Sequence, residues 1–63
     1  MQAITEEIAA ELLDTDGMAA IWKLHLIAAD AYRGGHDRAA EALIKIADAA
    51  AEIIRRRAVT GAD

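Results

Sequence analysis

Cysteine, proline, phenylalanine and serine are absent from this chain of 63 residues, and tryptophan and tyrosine occur once each. Each absence removes a class of explanation. Without cysteine there are no disulfides and no thiolate metal sites. Without serine or cysteine, the usual side-chain nucleophiles are missing; the three threonines, at positions 5, 15 and 60, sit near termini or in a turn, away from either histidine in sequence. Without proline, and with glycine only at positions 17, 34, 35 and 61, almost nothing interrupts a helical reading. No apolar run approaches the roughly 20 residues that span a bilayer, and the acidic N-terminal segment lacks the apolar stretch of a secretory signal. The expectation is a non-membrane, cytoplasmic protein.

What is present is alanine. Apolar residues make up 56% of the chain, and 17 of them are alanine, so few large side chains are left to build a core. Alanine favours helix strongly but buries little area, so such helices form readily and gain modest packing energy from one another. A chain of this size buries only about 60% of its unfolded surface and generally needs a disulfide, a metal or a partner subunit. Disulfides are excluded. Two histidines with few well-placed carboxylates make a structural metal a poor candidate, and no cofactor is expected. Self-association remains.

The net charge is −4, unevenly spread: residues 1–31 sum to −5 and residues 32–63 to +1. Nucleic-acid binders carry a basic footprint, so this balance argues against one.

Periodicity predicts three helices, an all-α fold. Ile4, Ile8 and Leu12 recur every four residues in a first helix over about 3–13, where Glu6 and Glu7 suit the N-terminus. The stretch DTDG, residues 14–17, reads as a turn, with Thr15 or Asp16 capping a second helix over 17–33. That helix stops at Gly34-Gly35. A third helix runs over 37–57, with Asp37 as its cap and residues 58–63 as a frayed tail. On the third helix, Arg38, Glu41, Lys45, Asp48, Glu52 and Arg55 form one charged stripe, and Ala39, Ala40, Leu43, Ala47, Ala50 and Ile54 lie opposite.

The second helix is apolar nearly all round. Between Met18 and Tyr32 the only charged residues are Lys23 and Asp30, seven apart on one strip. A helix of that kind belongs inside something. The interface residues expected from this pattern are Met18, Ile21, Trp22, His25, Leu26, Ile27, Ala29 and Tyr32. The expected arrangement is an antiparallel hairpin of the two longer helices, pairing with a second copy into a four-helix-type bundle. His25, on an otherwise apolar face, is expected to be a buried structural histidine rather than a ligand or proton carrier.

Other candidate motifs have plainer readings. The stretch GGHD, residues 34–37, has too few ligands for a metal and lacks a P-loop lysine. Arg55-Arg56-Arg57 complements a helix C-terminus. A DNA-reading helix-turn-helix would put Asp30, Gly34, His36 and Glu41 at its apolar positions. Residues 31–43, AYRGGHDRAAEAL, resemble the helix–turn–helix of a tetratricopeptide repeat. A solenoid needs about three such units and no second copy occurs, so the likeness is the general grammar of a helical hairpin.

The function expected from all this is non-enzymatic: a protein-interaction, assembly or regulatory module, with a homodimer favoured and a macromolecular protein partner possible. The alternative is a DNA-associated regulator or antitoxin-type factor acting as a dimer. A third class is a metal- or cofactor-carrying bundle using His25 from each chain.

Overall fold

The computed structural model describes residues 2–60, and side chains for residues 4–59. Three helices account for nearly all of it: α1 (Gln2–Asp16), α2 (Ala19–Arg33) and α3 (Asp37–Thr60). The all-α expectation therefore holds. α2 and α3 share the most extensive contact, α1 packs chiefly on α3, and α1 touches α2 least.

The chain turns at two glycines. Gly17, at φ 64, ends α1 in the left-handed region, and its N–H donates to the Leu13 carbonyl at 2.8 Å. α1 is thus longer than its apolar spacing suggests, and residues 14–16 belong to it rather than to a turn. Neither Thr15 nor Asp16 caps α2. The Thr15 hydroxyl donates back to the Glu11 carbonyl at 3.0 Å, and the position before α2 is Met18, with no side-chain cap. A threonine hydroxyl satisfied within its own helix has no reason to break it.

At the second turn Gly34 keeps an ordinary φ of −84, and Gly35 takes φ 82. The His36 N–H donates to the Ala31 carbonyl at 2.8 Å, and the Gly35 N–H to the Tyr32 carbonyl at 3.0 Å. This bond pair is the Schellman helix ending, which requires its left-handed residue at Gly35. The His36 carbonyl then accepts from Ala40 N–H at 3.0 Å, so His36 holds the position before α3 and Asp37 lies in the first turn. There Asp37 favours the positive end of the helix dipole. α3 continues through Thr60; of the expected tail, residues 58–60 are helical and residues 61–63 lie outside the described residues.

The core is made of small side chains. Ala9, Leu13, Ala20, Leu24, Ala28, Ala40, Ala47 and Ala50 are buried, and Leu12, Ile21, Ile46, Ala49, Ile53 and Ile54 pack partly buried around the cluster of Ala9, Leu13, Ala20 and Ala50. No polar side chain is buried among the described residues. On α2 the inward positions are Ala20, Leu24 and Ala28, a four-residue step that holds the helix against α3. On α1 the buried positions are Ala9 and Leu13, one residue on from the expected stripe. Ile4 and Ile8 are left exposed. A one-residue step turns a helix by about 100°, so alanine takes the seam and isoleucine its edge.

Three substitutions test this account of the turns and the core. Gly35→Ala forces a Cβ into the left-handed region and should cost about 1 kcal/mol or more in urea unfolding. Gly34→Ala should be near neutral, because the added Cβ would meet the ring of exposed His36 at 3.2 Å, which can swing aside. Leu24→Ala should cost about 2–5 kcal/mol, a large share of a small domain's stability.

Candidate interaction surface

α2 has two apolar faces, and its own chain covers one. At about 100° per residue, Ala20, Leu24, Ala28 and Ala31 centre on the side that meets α3. Ala19, Trp22, Leu26, Ala29 and Arg33 centre about 180° away, facing outward. Exposure agrees: Trp22 is 70% exposed, Leu26 58%, and Ala19, Ala29 and Arg33 are also exposed. Met18, at 70%, and half-open Tyr32 lie along one edge of this face, with His25 between them. Lys23 and Asp30 lie along the other edge.

Of the eight residues expected at an interface, six gather here: Met18, Trp22, His25, Leu26, Ala29 and Tyr32. Two do not. Ile21 is partly buried against the chain's own core. Ile27 is exposed, but five residues from Trp22 it points about 140° away and lies on a different flank. His25 is exposed in the single chain, because the intrachain seam is filled by Leu24 one position earlier; the expected burial of His25 would have to come from a second copy. Sequence reasoning also passed over Leu24 as the inward anchor; its spacing with Ala20 and Ala28 was the available signal, masked by larger side chains on either side.

The charges sit elsewhere. Arg55 pairs with Glu52 on α3, Arg56 reaches Glu6 of α1 at 3.4 Å, and Arg57 reaches Asp14 of α1 at 3.5 Å. The basic run thus straps α1 to the end of α3. On α2, Lys23 meets Asp16 at 3.5 Å, and Arg33 pairs with Asp30. Among the described residues no group of three His, Asp or Glu side chains is placed to hold a metal ion, and no helix is long and apolar enough to cross a membrane. No protein-family model matches the sequence, and comparison with curated proteins and with solved structures finds no match.

The strap is solvent-exposed and its individual pairs are weak. Arg57→Ala should shift stability by less than about 0.5 kcal/mol, read as an unchanged melting midpoint within a few degrees.

Proposed function

We propose that this protein is a non-enzymatic self-associating helical module, working as an assembly or regulatory element in the cytoplasm through the outward face of α2. One observation carries the reading. The largest apolar side chains of α2 face solvent, and the chain's own core holds none larger than leucine among its buried residues. Soluble monomers rarely leave contiguous apolar surface of this kind uncovered, and such patches mark interaction sites. Leaving Trp22 and Leu26 in water forgoes roughly 1.5–3 kcal/mol per side chain, a large fraction of what holds so small a domain together. Burial against a second copy recovers that free energy and couples folding to concentration.

The DNA-associated alternative gains nothing from the arginines, since Arg55, Arg56 and Arg57 each meet an acidic side chain. A cofactor-carrying bundle would need His25 to be brought together with further ligands from other chains.

The test is sedimentation and fluorescence over a concentration series from nanomolar to millimolar. Association should appear with a blue shift of the single Trp22 emission and a melting midpoint that rises with concentration. Leu26→Lys should abolish both and leave a helical but less stable monomer. A compact 6.7 kDa monomer whose melting midpoint is independent of concentration would refute the reading.

A further inference from the structure

We propose that the second copy docks on α2 antiparallel, in one defined register that places Lys23 against Asp30 of the other copy and His25 against Tyr32 of the other copy. This rests on the self-association read above and specifies its geometry. The outward seam Ala19, Trp22, Leu26, Ala29 and Arg33 follows the 3-4-3-4 spacing of a coiled-coil contact. One edge of that seam carries Lys23 and Asp30; the other carries Met18, His25 and Tyr32.

Orientation is decided by what meets across the seam. In a parallel pair equivalent seam positions face each other, so Arg33 would meet Arg33 of the second copy in the contact, a like-charge repulsion. In an antiparallel pair each edge meets the same edge of the partner, running in reverse. A two-fold axis opposite the midpoint between Ile27 and Ala28 then brings Leu26 over Ala29 of the second copy, a large side chain over a small one. It also sets Trp22 over Arg33 of the second copy, where the guanidinium can stack on the indole face. In that same register the first edge aligns Lys23 with Asp30 of the other copy, and the second aligns His25 with Tyr32 of the other copy. Each contact occurs twice by symmetry. Sliding either helix by one turn removes both edge pairings. The charge order along α2 therefore selects a single alignment.

The intrachain partners of these groups are compatible with it. Asp16 and Arg33, which meet Lys23 and Asp30 within one chain, are themselves exposed and lie beside the proposed pairs, so the Lys23–Asp30 edge becomes an alternating cluster. The seam lies opposite the α3 contact, so the hairpins meet back to back, in the order α3, α2, α2, α3, instead of as a square bundle.

Charge reversal tests the register. Lys23→Glu and Asp30→Lys should each weaken association about tenfold at low salt, since two symmetric pairs turn repulsive. The double variant carrying both should return to within about twofold of the parent, and an equimolar mixture of the two single variants should form mixed dimers in preference to either alone. Because the parent lacks cysteine, a mixture of Lys23→Cys and Asp30→Cys proteins should form the 23–30 mixed disulfide ahead of either same-site disulfide. Far-ultraviolet circular dichroism on every variant separates lost association from lost folding. Dimers that persist with unchanged affinity through both single reversals, or that form same-site disulfides preferentially, overturn the register while leaving self-association standing. A parent that stays monomeric at every concentration overturns both.

Discussion

The close approach of alanine-lined helices is what the rest of this structure depends on. Ala20 and Ala28 on α2 and Ala40, Ala47 and Ala50 on α3 are buried with almost no residual exposure, and Ala9 does the same for α1. Small side chains let backbones come near, and the dispersion gained is spread over many weak contacts. With alanine in the seams, the two buried leucines, Leu13 and Leu24, fix where the helices meet. Such a core is shallow.

A shallow core has a consequence at the surface. Large apolar residues that find no room in an alanine seam are displaced to its edges or to the far side of the helix. Ile4 and Ile8 lie at the edge on α1, and Trp22 and Leu26 lie on the far side of α2. The same packing that stabilises the hairpin leaves exposed the face through which association is proposed. The two sides of α2 thus differ in kind, the inward one occupied by alanine and leucine and the outward one by tryptophan, leucine and the charged pair beside them.

The two turns hold this arrangement in register. Gly17 and Gly35 both take left-handed backbone conformations, and each terminates a helix by hydrogen bonds back into its last turn. Neither ending needs a side-chain cap, which is why Thr15 and Asp16 could be absorbed into α1. The arginine strap from α3 to Glu6 and Asp14 adds orientation to α1 at little energetic weight, being exposed along its length.

The helical class, the hairpin and the glycine turn at 34–35 were legible in the sequence because they rest on local rules: alanine's helix propensity, the absence of proline, and glycine's freedom at φ > 0. So was the excess of apolar surface on α2, since counting charged residues between Met18 and Tyr32 requires no coordinates. Tertiary structure decided which apolar arc turns inward. Periodicity identifies a face to within a residue or so, and one residue rotates a helix by about 100°; packing then selects, and Ala20, Leu24 and Ala28 close against α3 while Trp22 stays exposed. For the same reason His25 and Trp22 came to face solvent and Ile21 the core. Local chemistry determined the helices, and the space left between them determined what each helix shows to the outside.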